Sequence, residues 1–179
     1  MSNMIELKLI TAERKADINI PNEPFRLFGK LIPSYCNGRW TYEILRFPQK
    51  KVTEMCFPDE NYNYDAMADS IFLGAYDGER CVGLAILQTG FCKYMYLYDL
   101  KVNKDYRKQY IGTMLVQKSK ELAKQNGYCG IYTQGQDNNL AACLFYLNSG
   151  FYIGVLDTNV YLHTKQEGKA DIIFYCESD

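Results

Sequence analysis

The chain has little of several things that would narrow its chemistry at once. It carries one histidine, His163, and one tryptophan, Trp40. Its seven cysteines (Cys36, Cys56, Cys81, Cys92, Cys129, Cys143 and Cys176) include no C-x-x-C pair. With one imidazole and no paired thiols, zinc coordination at the usual ligand spacings is excluded, and no metal is expected. No apolar run approaches the ~20 residues of a membrane-spanning helix. The opening stretch, MSNMIELKLITAERK, interrupts its apolar positions with charge and lacks a small-residue cleavage site, so no signal peptide is expected. Neither sign of charge dominates: 20 basic and 21 acidic residues leave −1. Nucleic-acid binders draw much of their affinity from clustered positive charge, so no nucleic-acid partner is expected. An odd number of scattered cysteines suits a reducing compartment, and a soluble cytoplasmic protein is the expectation.

What is present suits one compact domain over residues 1–179, 47% hydrophobic and able to bury a core without staples. The five prolines all fall in the first third, which should be irregular and short-stranded. FRLFGKLIPSY and RWTYEILRF flank Asn37–Gly38, a hairpin signal. From Pro48 to Ser70 the chain is polar, and helix pieces or a loop both fit. SIFLGAY and RCVGLAILQ flank a second hairpin signal, Asp77–Gly78. YMYLYDLKV reads as a third strand. A helix follows with Ile111, Met114, Leu115 and Leu122 on one side, ended by Gly127. YCGIYTQ is a strand, Asn138 or Asn139 caps a second helix, and Gly150 ends it. FYIGVLDTNVYL and ADIIFYC read as the last two strands. The order three strands, helix, strand, helix, two strands makes an α/β or α+β domain with a mixed central sheet flanked by helices.

The turn from YMYLYDLKV into the first helix is Arg107-Lys108-Gln109-Tyr110-Ile111-Gly112, followed by Thr113. The first amides of a helix lack internal partners, and the dipole adds roughly half a positive charge there. With two cations beside it, this turn can hold an anion; a solvated turn whose glycine serves packing fits the spacing equally. The pattern resembles the R/Q-x-x-G-x-G/A signature of the GNAT superfamily of acyl-CoA N-acyltransferases. Arg107 matches the first position and Gly112 the last. Tyr110 stands where the family has its first glycine. If that position needs φ > 0, tyrosine costs roughly 1–2 kcal/mol there. The resemblance implies a pyrophosphate cradle over Arg107, Lys108, Gln109, Tyr110, Ile111, Gly112 and Thr113.

Gln136 to Phe151 resembles the second GNAT cofactor motif, N-x-x-A-x-x-F-Y-x-x-x-G-F, at Asn139, Ala142, Phe145, Tyr146, Gly150 and Phe151. The resemblance implies a GNAT fold and acetyl-CoA as cosubstrate. It implies that Asn139 bonds the pantetheine arm, that the backbone of Leu100 and Val102 pairs with it, and that Tyr146 protonates the leaving thiolate. A phenol with pKa near 10 is protonated at neutral pH and can act as a general acid. The bland alternative makes Phe145 and Tyr146 core aromatics of an amphipathic helix. Cys143, with no histidine evident nearby, reads as a packing residue. The stretches NEPFRLFGKLIPSY, GRWTYEI, TQGQDNN and FYIGVLDTNVY are similar to the streptothricin acetyltransferases, over about Pro24 to Tyr161. Members acetylate an amine on the β-lysine part of streptothricin antibiotics and so inactivate them.

The amine must lose a proton before it attacks, and a carboxylate usually helps. Where the family often has Glu-Asp, this chain has Tyr98–Asp99. Neighbouring strand residues face opposite ways, so Asp99 inherits the base role only if a bulge re-aims it. Otherwise it is a strand residue paired to a local backbone group or cation. Asp59, Glu60, Asp65, Asp69 and Asp157, with Trp40, Tyr62 and Tyr64, are candidate walls for a cationic substrate. Each also fits as a solvated charge or a core aromatic. Tyr94, Tyr96 and Tyr98 line one face at period two, and His163 reads as a structural strand residue. The expectation is an acetyl-CoA-dependent N-acetyltransferase for a small-molecule primary amine, with streptothricin first and an aminoglycoside, polyamine or peptide amino group next. A non-catalytic acetyl-CoA sensor and a plain interaction domain are the rivals. A homodimer is compatible with the chain, whose oligomeric state the residues do not specify.

Overall fold

The computed structural model describes residues 4–179. Met1–Asn3, the first part of the stretch read as lacking a signal peptide, lie outside the described residues. In chain order the strands and helices are β1 (Glu6–Leu9), β2 (Phe25–Leu27), β3 (Gly29–Cys36), β4 (Arg39–Arg46), β5 (Thr53–Met55), β6 (Ile71–Asp77), β7 (Arg80–Gln88), β8 (Tyr94–Val102), α1 (Ile111–Gln125), β9 (Gly130–Gln136), α2 (Leu140–Asn148), β10 (Tyr152–Asp157) and β11 (Asp171–Glu177). Short 3₁₀ segments join several of them. The expected mixed α/β architecture is present, and from Ile71 onward the order of strands and helices is the one the sequence suggests.

The chain divides into two compact units. The first holds residues up to Glu23, Phe57–Ile131 and Glu177–Asp179; the second holds Pro24–Cys56 and Tyr132–Cys176. Within the first unit the strand order is β1-β6-β7-β8, and within the second β9-β11-β10.

In the first unit, β6 and β7 pair antiparallel around Asp77–Gly78 and are buried along nearly their whole length. Both faces are covered. On one, α1 comes so close that a Cβ on Gly83 would lie 3.2 Å from Ala75, Ile111 and Leu115, so glycine is what admits the helix. On the other, Ile10, Ile18, Phe72, Tyr76, Leu84 and Ile86 form a core cluster, with Tyr62 and Tyr64 packed against it. The buried side of α1 holds Ile111, Leu115, Val116, Ser119, Leu122 and Ala123. Met114 is not part of it and is partly exposed. At 100° per residue the buried stripe centres near Ser119, which turns Met114 away.

In the second unit, β3 and β4 form the expected hairpin, with Asn37 (φ 51°) and Gly38 (φ 77°) at its turn. Both have positive φ, as a two-residue hairpin turn favours. Between Pro48 and Ser70, in chain order, lie a 3₁₀ turn (Gln49–Lys51), β5 and a second 3₁₀ turn (Asp65–Met67). One expectation is corrected. The strand read as FYIGVLDTNVYL stops at Asp157, whose Oδ1 accepts from the amides of Asn159 (2.9 Å) and Val160 (3.0 Å). An aspartate that caps the following turn competes with the ladder and ends the strand. His163 therefore lies in a turn, at φ 63°, and not in a strand.

Candidate active site

One group of candidate residues is built on β8. Ile86 of β7 faces Asp99, but Leu87 faces Leu97, so Tyr98 is one residue too many for the ladder. The bulge has a visible consequence. The Tyr98 ring lies 5.9 Å from the Tyr62 ring, and the Tyr62 hydroxyl donates to Asp99 Oδ2 at 3.0 Å. Two adjacent strand residues thus reach the same tyrosine, which a regular pleat forbids.

Asp99 is part of a small ionic cluster. Its side chain is 16% exposed, and Lys101 Nζ lies 3.1 Å from its Oδ2. The same ammonium is 2.8 Å from Glu60 Oε2 and 3.1 Å from Asn22 Oδ1, and sits 5.7 Å from the centroid of Tyr62. Asn22 also donates to Glu60 Oε1 at 2.9 Å, and its amide to Asp59 Oδ1 at 2.7 Å. Burial lifts Asp99 above the usual carboxylate range; Lys101 pulls against this and the charge of Glu60 adds to it. Burial also works to raise Glu60, but hydrogen bonds from Asn22 and Lys101 outweigh it and hold Glu60 low. The Tyr62 hydroxyl is pushed far up, first by burial and then by Asp99 and Glu60, so it stays a donor. Two carboxylates, an amide oxygen and an aromatic face around one primary ammonium form a cation cage.

Leu100 and Val102 continue β8, opposite Ala85 and Gly83. Beyond them Asn103 caps the 3₁₀ segment Lys104–Tyr106, and the chain enters the turn. Lys108 (φ 61°) and Tyr110 (φ 62°) both take the left-handed conformation. The position the family gives to glycine does need φ > 0 here, so the tyrosine bears that cost. Tyr110 is the N-cap of α1, yet its side chain caps nothing and is 81% exposed. The first helical bond runs from Met114 N–H to Tyr110 O (2.9 Å), so the amides of Ile111, Gly112 and Thr113 precede it. Left-handed residues followed by free first-turn amides make an anion-binding concavity. These groups fit the pyrophosphate of a coenzyme A thioester. Arg107 also engages the turn itself. Its Nε donates to Val102 O (3.1 Å) and its guanidinium lies 3.7 Å from Glu23 Oε2. It braces the turn. Gln109 does likewise, donating to Asp105 O at 3.1 Å.

A second group of candidates is built on α2. Asn139 rather than Asn138 is the N-cap, its Oδ1 accepting from Ala142 N–H at 3.2 Å. Tyr146 is 8% exposed and packs against Phe145, Phe151 and Phe174 at ring distances of 5.6, 5.3 and 5.4 Å. Cys143 is buried and donates to Gln136 O. Burial first, then the charge of Asp137, pushes its thiol up to about 12, so it stays protonated and is no nucleophile at neutral pH.

The remaining candidates divide by what they touch. Glu60 and Tyr62 join Asp99, and Asp59 joins them through Asn22. Tyr64 stacks on Phe72 in the core, and Asp65 pairs with Lys15 at the surface. Asp69 is exposed, Trp40 packs on Tyr35, and Asp157 caps its own turn. Sequence reasoning missed Lys101, Asn22 and Glu23. Lys101 had a signal, since it lies two residues from Asp99 on one strand face. Asn22 and Glu23 had none, because tertiary folding alone brings them to β8 and the turn.

A bulged strand that runs into an open helix N-terminus, in a mixed sheet, is the scaffold of an acyl-CoA N-acyltransferase. The Acetyltransferase (GNAT) family model matches residues 39–151. Streptothricin acetyltransferase A of Bacillus subtilis (strain 168) is 35% identical over 159 residues, 89% of this chain and 92% of that protein. The chain belongs to the GNAT acetyltransferase family, and it is an acetyl-CoA-dependent N-acetyltransferase. The crystal structure of a candidate streptothricin acetyltransferase from Bacillus anthracis (strain Ames), in complex with acetyl coenzyme A, superposes with a TM-score of 0.85. It is 25% identical, over 98% of this chain and 99% of that one. Nourseothricin acetyltransferase shares the fold, with a TM-score of 0.78 at 18% identity over 98% of this chain and 99% of that one. Among the described residues, no helix is long and apolar enough to cross a membrane, and no group of histidine, cysteine and carboxylate side chains could hold a metal ion.

Proposed function

We propose that this acetyltransferase transfers the acetyl group to a primary amine of a streptothricin-type antibiotic and so inactivates it. The observation that carries the amine half is the cage of Asp99, Glu60, Asn22 and Tyr62, which already holds an alkylammonium, that of Lys101. The same acceptors and charges suit an incoming primary ammonium. Streptothricin is favoured among such amines by the B. subtilis relative. The test is an acetyl-CoA assay. Streptothricin-dependent release of free CoA, with a mass gain of one acetyl group on the antibiotic, is expected; no release overturns the substrate. The cage reads only an ammonium, so an aminoglycoside, a polyamine and a peptide amino group belong in the same assay as the second reading.

When bound, acetyl-CoA supplies a thioester carbonyl to the attacking nitrogen and releases CoA as a thiol. Asp99 takes the proton of the ammonium, aided by the burial that raises its basicity. The turn from Lys108 to Thr113 holds the phosphates through its backbone amides, while Arg107 keeps the turn in shape. The backbone of Leu100 and Val102 pairs with the pantetheine arm. The Oδ1 of Asn139 is occupied by its helix cap, which leaves the amide NH₂ to donate to a pantetheine carbonyl. Tyr146 gives its phenolic proton to the departing sulfur. General acid catalysis is worth about 10²–10⁴-fold, so Tyr146→Phe should lower kcat by about that factor and leave CoA affinity close to wild type. Unchanged turnover would remove Tyr146 from this role.

Both compact units serve one function in this reading, since the family match runs through residues of each. The odd count of seven scattered cysteines supports a reducing, cytoplasmic setting, and the balanced charge supports a small-molecule partner rather than nucleic acid.

A further inference from the structure

The β3–β4 hairpin presents an edge that native proteins seldom leave open. β4 runs for eight residues with no proline and no bulge in its register to β3. It is an edge strand of a two-stranded sheet. Among the described residues, none of β4 makes a backbone hydrogen bond outside that ladder. Edges of this length are normally blunted by lysine, proline, a bulge or a covering element. Opposed residues share a face, so one face of the hairpin carries Leu31, Pro33, Tyr35, Trp40, Tyr42 and Ile44. Leu31 and Pro33 are buried, but Tyr35 is 63% exposed, Tyr42 47% and Ile44 42%.

The charges on β4 say what fits this edge. Arg39 and Glu43 are exposed, lie on the face opposite Tyr42, and have no ion-pair partner among the described residues. In an antiparallel pair of two β4 strands centred on Thr41, Arg39 of each copy faces Glu43 of the other. Thr41 then faces Thr41, and Trp40 faces Tyr42 on the aromatic side. A pairing over the full strand instead sets Arg39 against Arg46, and one centred on Glu43 sets Glu43 against itself. Like charges directly opposed are unfavourable, and among registers that keep the two faces of the sheet distinct the Thr41-centred one alone sets opposite charges against each other.

We propose that β4 is the edge through which two copies of this chain pair, antiparallel about Thr41, to give a four-stranded sheet at a twofold axis. The interface is isologous: each charge appears once on each side and meets its complement. It concerns a surface outside the residues assigned to cofactor and amine, and it stands independently of the substrate.

Analytical ultracentrifugation over a concentration series tests it. The wild-type chain should sediment as a dimer. Glu43→Arg, which opposes two arginines twice over, should raise the dimer dissociation constant about tenfold or more. The double swap Arg39→Glu with Glu43→Arg restores complementarity and should recover most of the affinity. A wild-type chain that stays monomeric at its highest soluble concentration overturns the proposal. So does a dimer that Glu43→Arg leaves intact, or a double variant as weak as the single one. The recovery arm separates a specific pairing from general damage, because a misfolded hairpin is not repaired by a second charge change.

Discussion

Tyr110 concentrates the residue-scale argument. Its left-handed backbone costs roughly 1–2 kcal/mol for a residue with a Cβ. Glycine removes that cost but adds about 0.5–1 kcal/mol of unfolded-chain entropy. The exposed ring contributes little packing to lose. The first effect wins, so Tyr110→Gly should stabilise the chain by about 0.5–1 kcal/mol. For a chain of this size that is a rise in Tm of about 1–4 °C, read by thermal unfolding without ligand. A fall in Tm would mean the ring packs on something the exposure does not suggest. The sequence marked this residue as a departure, yet could state the cost only conditionally, because the sign of φ belongs to the folded turn. For Lys108, which shares the conformation, the side chain gave no sign at all. Arg107 shows the opposite limit. Its position in the motif was plain, but its engagement with Val102 O and Glu23 depends on a residue far away in the chain.

At the scale of elements, β8 shows what a pattern can and cannot carry. Its length and period-two tyrosines were evident, and so was the need for a bulge if Asp99 was to be re-aimed. That the extra residue is Tyr98 follows from the register with β7, which no local pattern encodes. The strand after α2 failed for a related reason: Asp157 turns its carboxylate onto the next two amides, and apolar residues beyond it cannot reopen the ladder. The bulge has a consequence for pH. The groups facing Asp99 are Lys101, Glu60 and Tyr62. Lys101→Met removes the one cation, leaving burial and Glu60 to favour the protonated acid. The pKa of Asp99 must then rise further. If ionised Asp99 accepts the substrate proton, the acid limb of kcat/KM moves to higher pH in Lys101→Met and stays near wild type in Lys101→Arg. An acid limb that does not move would detach Asp99 from proton transfer. Stability responds with the opposite sign to the usual aspartate. Because folding raises its pKa, native Asp99 binds more protons than unfolded Asp99 as pH climbs from the ordinary carboxylate value. Its contribution to stability therefore falls through that window and levels off above the raised value.

For the whole molecule, the order of elements from Ile71 onward could be read because apolar runs, Asp77–Gly78, Gly127 and Gly150 punctuate it clearly. The strand order β1-β6-β7-β8 could not be, since β1 is four residues long and alternates charge with apolar side chains. What the global fold must deliver is a ligand-competent state, and that can be measured without any amine. A ligand that binds only the folded chain stabilises it by RT ln(1 + [L]/Kd), about 2.7 kcal/mol at a hundredfold excess over Kd. At about 2–4 °C per kcal/mol, CoA should then raise Tm by about 5–11 °C. A chain serving only as an interaction domain would show no shift. The comparison sharpens when Tyr146→Phe is included. A variant that keeps the CoA shift while losing turnover places Tyr146 in the chemical step. A variant that loses both places it in cofactor binding or in the α2 core that Phe151 and Phe174 share with it. Its Tm without ligand separates these two, because a damaged core lowers that value and a lost cofactor contact does not.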